Sequence, residues 1–418
     1  SSTMKQPNLV KPVILPLFRS EKFRYHSRDI ALVRAKNNSI PILMGSATPS
    51  LESLYNCQIE KFSHILLKNR FHNTKLPSVT VVDTKVDTVR DGFSSTLIKG
   101  MKKELDDKKQ VLLFVGRRGF SHTLLCNVCG WTSKCKKCDV HMTFHEYENK
   151  LWCHHCGLQT KVNFKNICEC KSESEIIPIG MGTERIEKRA KELFPKSKVM
   201  RIDSDTINNI SKLNNFINQS RDGKIDILVG TQMLVKGHDF PNLTLVGIID
   251  IDSGLYSLDF RGTEKIAQMI IQVAGRSGRH SSEGRLIIQT RKPKHPIMTK
   301  LLENGYSDFS KDVLKERREA ALPPQSYLSL FRVSTNNKGE GLIFLNKIKN
   351  IYRDTITILG PAPAPILKKN NRYYYQLLIN SHNRKFLLQK SSEIREYILK
   401  HKKSNFRWSL DIDPIDLY

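Results

Sequence analysis

Long apolar segments are absent from this 418-residue sequence. No apolar run approaches the ~20 residues that cross a bilayer, and there is no secretory signal peptide. The chain begins with Ser1 rather than Met. Its content of 39% hydrophobic and 26% charged residues is typical of a soluble protein, and its length predicts several domains. We therefore expect no membrane partner and a cytoplasmic location.

Acidic residues are scarce relative to basic ones. The 41 Asp and Glu residues stand against 68 Lys and Arg residues, which gives a formal net charge of +27. Basic side chains that neutralise phosphates release condensed counterions, so this excess indicates a polyanionic partner. An AT-rich genome, which favours Lys, Asn and Ile whatever the function, is the alternative explanation.

Cysteine is nearly absent outside one segment. Eight of the nine cysteines lie between Cys126 and Cys170, and the ninth is Cys57, which we interpret as a buried small apolar residue. Without an export signal, paired cysteines indicate reduced thiols on a metal rather than disulfides. Zinc takes four thiolates in a tetrahedron, and one tight turn supplies two of them. Four pairs therefore predict two zinc sites: Cys126/Cys129, Cys135/Cys138, Cys153/Cys156 and Cys168/Cys170.

The last of these cysteine pairs departs from the regular spacing. One residue separates Cys168 from Cys170, and Lys171 stands where a regular second ligand belongs. Such a pair can reach one metal, but with a more strained chelate, so we expect its zinc to be weakly held. A histidine could substitute for a thiolate, although we interpret each candidate as a surface or structural residue. The candidates are His141, His145, His154 and His155.

Apolar strands alternate with amphipathic helices from residue 109 onward, which predicts an α/β fold with a parallel, doubly wound sheet. The cysteine block, residues 126–175, is predicted to be an insertion after the first strand, with 176–179 resuming the fold. The predicted strands are 111–115, 198–202, 226–229, 243–249 and 285–288, with helices at 184–194, 209–220 and 263–274.

Three domains follow from this pattern. Residues 1–108, with a helix at 27–36 and a strand at 40–44, are interpreted as the last part of a preceding sheet domain. Residues 109–310 form the doubly wound unit, and residues 320–418 form a compact α+β domain after the break at Pro323 and Pro324.

A glycine-kinked basic turn follows the helix at 263–274. Gln272 precedes Arg276 and Arg279 in the sequence Gln-Val-Ala-Gly-Arg-Ser-Gly-Arg. Paired guanidiniums on such a turn can reach the γ-phosphate of a nucleotide held by another lobe, where they stabilise charge that develops during hydrolysis. The alternative is a basic turn without a catalytic role.

Two further turns have the composition of contacts to nucleotide or DNA. One follows the strand at 226–229, where a Gly-Thr turn at the carboxyl end of a strand suits contacts to a DNA backbone and a nucleotide sugar. The other has hydroxyl groups that suit an element coupling nucleotide to DNA. The residues of the first are Gly230, Thr231, Lys236, Gly237 and Asp239, and those of the second are Gly45, Ser46, Ala47 and Thr48.

These segments together resemble motifs III, V and VI of superfamily 2 helicases. The cysteine block, Arg117-Arg-Gly-Phe120, Gly180-Met-Gly-Thr-Glu184 and Asp411-Ile-Asp-Pro414 resemble the PriA family of bacterial replication-restart helicases, from about Phe23 onward. The resemblance implies a RecA-like helicase lobe two, a remnant of lobe one, an inserted two-zinc module and a small α+β C-terminal domain. That last domain would contact branched DNA and single-strand-binding protein.

The resemblance also implies roles for individual residues. An aromatic-rich loop that links DNA contact to ATP hydrolysis would include Arg24, Tyr25 and His26. The first zinc would be held by Cys126, Cys129, Cys168 and Cys170, and the second by Cys135, Cys138, Cys153 and Cys156. We expect the second zinc to be firmly held and the first to be labile.

Two motifs of such helicases are missing from the 418 residues. There is no Gly-x-x-x-x-Gly-Lys-[Ser/Thr] loop and no Asp-Glu-x-His box. Because these hold the triphosphate and Mg²⁺, we expect ATP and Mg²⁺ to bind only together with an upstream part. This chain alone is expected not to hydrolyse ATP.

Three hypotheses of function remain. The first is the C-terminal part of an ATP-dependent 3′-to-5′ DNA helicase that acts on forked and single-stranded DNA with primosome proteins. The second is a non-catalytic scaffold that binds forks and loads the primosome. The third is a stand-alone zinc-ribbon binder, against which the Gly-Arg-x-Gly-Arg stretch argues.

Overall fold

A computed structural model gives the fold of the chain. It describes residues 9–10, 22–24, 27–67, 77–115, 123–126, 129, 131–137, 141–145, 148–153, 158–162, 168, 170, 176–179, 182–203, 210–231, 240–249, 251–252, 259–278, 283–415 and 417. Within these ranges, none of the helices has the length and apolarity that a membrane span requires.

The N-terminal elements are short. The predicted helix at 27–36 is confirmed, whereas only the last two residues of the predicted strand at 40–44 form a strand. A further helix begins where the Ser50 side chain accepts the Ser53 N–H at 3.3 Å. These elements are β1 (Leu9–Val10), β2 (Lys22–Arg24), α1 (Ser27–Asn37), β3 (Leu43–Met44) and α2 (Leu51–Gln58).

The central unit is interrupted by the cysteine-rich module. Before the module come β4 (Ser78–Asp83), β5 (Val89–Arg90), β6 (Phe93–Ser94), α3 (Ser95–Asp106) and β7 (Gln110–Phe114). The module contains β8 (Thr123–Cys126), β9 (Thr143–His145), β10 (Lys150–Trp152), β11 (Gln159–Lys161) and β12 (Ile176–Ile179). After it come α4 (Thr183–Leu193), β13 (Val199–Ile202), α5 (Ile210–Arg221), β14 (Ile227–Gly230), β15 (Leu243–Ile248), α6 (Gly262–Ala274) and β16 (Arg285–Thr290).

A six-stranded parallel sheet in the order β13-β14-β7-β15-β16-β4 forms the central unit. Strands β7, β14 and β15 are buried at every residue, as expected for a parallel sheet that is covered on both faces. Helices α3 and α4 contribute to the core on one face, and α5 and α6 to the core on the other. The predicted doubly wound α/β architecture is confirmed.

Two glycines let α3 lie close to the sheet. A Cβ at Gly247 would stand 2.8 Å from Leu97 Cδ1, and one at Gly100 would stand 2.9 Å from Ile287 Cδ1. Larger residues at either position would push α3 away from the strands, because interiors are close-packed.

The domain boundary predicted at residue 108 divides this unit. Strand β4 and helix α3 precede residue 108, yet β4 pairs with β16 along its whole length and α3 packs against β7 and β15. As an edge strand, β4 buries Val82 but leaves Val79 exposed, so its sequence lacks the apolar run of the central strands. The parallel sheet therefore begins at Ser78, and the predicted boundary is wrong in this respect.

The cysteine-rich module has its own small sheets. Strands β11, β10 and β9 form an antiparallel sheet, and β8 pairs with β12 in antiparallel fashion. Residues 176–179 were predicted to resume the fold, but they close the module instead of joining the parallel sheet. The module's core is small and includes Leu124, Phe144 and Leu151 beside its cysteines.

The C-terminal part combines one long helix with an antiparallel sheet. Its elements are α7 (Pro296–Glu319), β17 (Tyr327–Thr335), α8 (Glu340–Tyr352), β18 (Thr357–Lys369), β19 (Arg372–Ser381), α9 (Arg384–His401) and β20 (Arg407–Ile412). The sheet order is β18-β19-β17-β20-β2, so β2 from the N-terminal part completes this sheet in parallel with β20. Strand β18, which contains Pro361, Pro363 and Pro365, lies at the edge, where a missing N–H is tolerated.

Candidate motor and metal sites

The predicted coupling loop and the predicted catalytic helix are joined by hydrogen bonds to Thr48. Gly45, Ser46 and Ala47 are exposed, whereas Thr48 is buried. The Thr48 N–H donates to Ser46 Oγ at 3.1 Å, and Gln272 Nε2 of α6 donates to Thr48 Oγ1 at 2.9 Å. Two segments 224 residues apart in sequence are therefore in direct contact through two of their predicted site residues.

A row of polar residues on α6 extends this contact. Gln268 Nε2 donates to Tyr306 Oη at 3.2 Å, and the Tyr306 hydroxyl donates to the Pro49 carbonyl at 2.7 Å. Glu264 Oε1 accepts the Leu51 N–H at 3.0 Å. Sequence reasoning missed Glu264, Gln268 and Tyr306. Glu264 and Gln268 precede Gln272 at intervals of four residues, so the three side chains share one helix face. The sequence does contain this signal.

Two ion pairs are buried beside this row. Arg317 Nη2 lies 2.8 Å from Glu264 Oε2, and Arg261 Nη2 lies 2.7 Å from Glu52 Oε1. The Phe260 ring packs against both guanidiniums, with its centroid 4.7 Å from Arg261 Cζ and 5.1 Å from Arg317 Cζ. Since α2, α6 and α7 each supply a charge, the cluster fixes their relative positions.

The two carboxylates of this cluster have opposite pKa shifts. Burial raises the pKa of Glu264, and the nearby Glu52 carboxylate raises it further, against the lowering effect of Arg317. Burial acts in the same direction at Glu52, but there Arg261 and a backbone hydrogen bond outweigh it, so the pKa of Glu52 is lowered.

Backbone hydrogen bonds fix the position of the basic turn after α6. The Arg276 N–H donates to the Val273 carbonyl at 3.0 Å, and the Gly278 N–H donates to the Leu243 carbonyl at 3.1 Å. Gly278 has a φ of 67°, which favours glycine. Arg276 is half-buried, and Arg279 lies outside the described residues.

The Gly-Thr turn lies at a different edge of the sheet. Gly230 is the last residue of β14, and Thr231 is buried directly after it. Gly278 instead bonds to the first residue of β15, so the described parts of the two segments, residues 230–231 and 276–278, lie at opposite edges of the sheet. Lys236, Gly237, Asp239, Tyr25 and His26 lie outside the described residues, and of Arg24 only the backbone in β2 is described.

Four cysteines of the module converge. The Sγ atoms of Cys126, Cys129, Cys168 and Cys170 all lie within 4.8 Å of one another. The Cys170 Sγ is 3.4 Å from that of Cys126 and 3.3 Å from that of Cys168. Zinc–sulfur bonds of about 2.3 Å place tetrahedral thiolates roughly 3.8 Å apart. The irregular pair therefore reaches the cluster that the family resemblance implied.

The neighbouring thiols affect the pKa of Cys129. At Cys129 a backbone hydrogen bond from Trp131 lowers the thiol pKa, but desolvation and the thiols of Cys170 and Cys126 outweigh it, so the pKa is raised. A divalent ion between the sulfurs would reverse this shift, because it stabilises the thiolates. Four soft donors at these separations fit zinc.

The second predicted cysteine set is described only in part. Cys135 and Cys153 are buried, while Cys138 and Cys156 lie outside the described residues. The Cys153 N–H donates to the Leu158 carbonyl at 2.8 Å, and the Cys126 N–H donates to the Trp131 carbonyl at the same distance. The same backbone hydrogen bond, to the carbonyl five residues later, therefore follows both cysteines.

Among the residues that the structure describes, the cluster of four cysteines contains no histidine. His141 is exposed, and its backbone forms a bridge with Lys134. The side chain of His145 is not among those described, and His154 and His155 lie outside the described residues.

Three family models match the chain. Residues 135–161 match the Cys-rich region of the PriA DNA helicase, residues 159–281 match the helicase conserved C-terminal domain, and residues 318–415 match the primosomal protein N C-terminal domain. The solved structure of S. cerevisiae Dbp5 bound to RNA and ADP BeF3 is similar over 70% of this chain and 59% of that one, at 12% identity and a TM-score of 0.35.

Curated relatives match the chain over most of its length. The replication restart protein PriA of Haemophilus influenzae is 41% identical over 96% of this chain and 55% of its own. That of Bacillus subtilis is 36% identical over 95% of this chain and 50% of its own. The chain thus spans about half the length of these relatives. With matches of this extent and a cysteine cluster in the matching module, the chain belongs to the PriA family of helicases.

Proposed function

We propose that this chain acts as the second lobe, the zinc module and the C-terminal domain of an ATP-dependent 3′-to-5′ DNA helicase that restarts replication at stalled or repaired forks. Membership of a helicase family supports the motor role. The observation that carries the proposal is the hydrogen bond from Gln272 to Thr48, because it joins the helix of the arginine turn to the coupling loop.

The motor chemistry would use residues at both ends of this link. Arg276 and Arg279 would stabilise the charge that develops on a γ-phosphate during hydrolysis. A shift of α6 would move Gln272, and Thr48 would follow through its hydroxyl. The exposed residues Gly45 to Ala47 would then change their contacts with DNA. Bound ATP and Mg²⁺ would supply the reacting phosphate and its charge neutralisation.

Zinc would have a structural role. One ion would be held by the four convergent cysteines, and a second by Cys135, Cys138, Cys153 and Cys156. In such sites the metal contributes folding free energy directly. The module would thereby present its surface residues in a fixed position beside the lobe.

The substrate would be forked or single-stranded DNA in the cytoplasmic nucleoid. The net charge of +27 supports this part of the proposal, because it favours binding to phosphates at low ionic strength. Single-strand-binding protein and other primosome proteins are the proposed protein partners.

A second candidate function rests on the missing motifs. The 418 residues contain neither a P-loop nor an Asp-Glu-x-His box. A non-catalytic scaffold that binds forks would need neither motif, and it would bind DNA in a salt-sensitive way without ATPase activity.

One experiment separates the two functions. The genomic sequence upstream of Ser1 is read, and the chain is purified both alone and extended by any in-frame coding sequence. We expect DNA-stimulated ATP hydrolysis by an extended chain with both motifs, and an Arg279→Ala loss on the order of 10³-fold. Arg353→Ala, which changes an exposed arginine of the C-terminal domain, is the matched control. An extended chain with both motifs and no ATPase activity contradicts the motor proposal.

A further inference from the structure

In the described part of the chain, a backbone hydrogen bond joins the zinc module to the C-terminal domain. The Asn371 N–H donates to the Lys137 carbonyl at 3.0 Å. Asn371 is in the two-residue turn between β18 and β19, and Lys137 lies between the predicted ligands Cys135 and Cys138. Two elements that are more than 200 residues apart are therefore held side by side.

Local backbone geometry restrains the residues on both sides of this hydrogen bond. Asn370 and Asn371 have φ values of 52° and 59°, which asparagine tolerates, so the turn matches the twist of its strands. In such a turn the second residue's N–H points outward and is free to donate. On the other side, the Lys137 N–H donates to Cys135 Sγ at 3.4 Å, which fixes the peptide unit that precedes Lys137.

The arginine after the turn anchors the hairpin. Arg372 Nε and Nη2 donate to the Ser334 hydroxyl and carbonyl at 3.1 and 2.6 Å. Its Nη1 donates to Asn336 Oδ1 at 2.7 Å, and Nη2 also donates to the Asn405 carbonyl at 2.5 Å. The turn therefore projects from the domain in a fixed direction.

Four lysines flank the contact. Lys136 and Lys137 are exposed on the module, and Lys368 and Lys369 are half-exposed at the end of β18. Among the residues that the structure describes, none is in an ion pair with any of these four. The Lys368 Nζ lies 5.7 Å from the centroid of the Tyr373 ring, which holds that ammonium near the hairpin.

We infer that these four lysines form one composite surface, the knuckle–hairpin surface, which binds the phosphate backbone of DNA. Ammonium groups are strongly hydrated point charges that contact phosphates without reading sequence. Their spread over two elements suits successive phosphates along a strand. The inference deepens the proposed function, because it assigns part of the DNA contact to residues other than those of the motor.

Salt-dependent binding tests this surface. The Lys136→Gln, Lys137→Gln, Lys368→Gln, Lys369→Gln variant is compared with the unchanged chain for binding to a short fluorescein-labelled duplex, by anisotropy between about 50 and 200 mM salt. Each phosphate contact contributes about −0.9 to the log–log salt slope, so the slope should become shallower by about 2 to 4. Over this salt range, the unchanged chain would lose at least about 16-fold more affinity than the variant.

A second variant removes the same charge elsewhere. Lys102, Lys103, Lys347 and Lys385 are exposed on α3, α8 and α9, and their change to Gln leaves the knuckle–hairpin surface intact. This control should change the slope by less than about 1. Equal effects of the two variants would overturn the inference, since only net charge would then matter. Circular dichroism and zinc content verify that both variants fold.

Two half-variants keep the test informative if the fourfold change impairs folding. Lys136→Gln with Lys137→Gln, and Lys368→Gln with Lys369→Gln, should each reduce the slope, because both elements contribute. A reduction by one pair alone would overturn the composite surface. Tighter, lysine-dependent binding of a glutamate peptide in place of the duplex would assign the surface to an acidic protein instead. The ATPase result is independent, so a failure here leaves the motor proposal to its own test.

Discussion

The parallel-sheet lobe and the cysteine-rich module are folded by different means. In the lobe, strands β7, β14 and β15 are buried throughout, and two apolar cores cover the faces of the sheet. In the module the strands have three or four residues each, and the buried cluster is small and includes four cysteines. Burial of apolar area stabilises the lobe, whereas the module needs bound metal to offset the conformational entropy that it loses on folding.

This difference explains how the module can be inserted without weakening the lobe. It leaves the sheet after β7 and returns at α4, and β8 pairs with β12 at its base. The two regions can therefore be perturbed separately, by metal removal in one and by cavities or unpaired charges in the other.

The largest expected effect is loss of metal from the module. Cys170→Ser removes one of four convergent thiolates, and structural zinc contributes on the order of 10 kcal/mol to such folds. We expect the zinc content of the purified protein, measured without chelator, to drop by one equivalent per chain relative to the unchanged protein. Cys57→Ser, a change in α2 outside the cluster, is the matched control. Equal zinc content in the Cys170→Ser protein would show that this residue is not a ligand.

An unpaired charge should affect the lobe next most strongly. Arg317→Met leaves Glu264 buried without its partner, which costs about 3 to 5 kcal/mol at neutral pH. Loss of Arg317 also raises the pKa of Glu264 further, so the carboxyl becomes protonated, and the cost smaller, as pH falls toward the raised value. Thermal unfolding at pH 7 and pH 5.5 measures both effects.

A double variant tests the cause of that loss. Glu264→Gln combined with Arg317→Met removes the buried charge, so it should be more stable than Arg317→Met alone at neutral pH. If Arg317→Met loses the same stability at both pH values, and Glu264→Gln does not restore it, then packing rather than charge is responsible for the loss.

A cavity in the lobe should have a comparable or smaller effect. Leu97→Ala removes a fully buried side chain between α3 and the sheet and should cost about 2 to 5 kcal/mol. The zinc content should not change. Ile59→Ala, at an exposed position, is expected to cost under about 0.5 kcal/mol. Loss of zinc in Leu97→Ala would contradict the separation of the two regions.

The smallest expected effect lies at the coupling contact. Thr48→Val removes the hydroxyl that accepts from Gln272 and should cost about 1 kcal/mol in thermal unfolding. Thr48→Ser keeps the hydroxyl and should retain slow hydrogen exchange in residues 45–50, which Thr48→Val should lose. The same exchange in both variants would mean that the hydrogen bond does not hold the loop.

The sequence predicted most of the lobe because its central strands are continuous apolar runs. Strand β4 was missed, since an edge strand buries only one strong apolar side chain. Strand β18 was missed because its three prolines argue against a strand, although its edge position makes them tolerable. Helix α7 has an amphipathic pattern broken at Gly305, where φ is 74°.

The site was predictable where residue type alone restricts the chemistry. Thiols have few uses in a reduced chain, so two metal sites could be predicted from the spacing, whereas the set of four cysteines that converges was implied by the family resemblance. The partners of Thr48 and Leu51 could not, because Gln272 and Glu264 lie more than 200 residues away and only the folded sheet brings them close. The contact of Asn371 with Lys137 is of the same kind.

Hydrogen exchange with and without a zinc chelator tests the distinction between the two regions most directly. With chelator, peptides from residues 123–162 and 176–179 should lose their protection, because their folding depends on the metal. Peptides from β7, β14 and β15 should keep theirs, because their cores contain no metal ligand. Equal loss of protection in both regions, or unchanged protection in the module, would contradict the account.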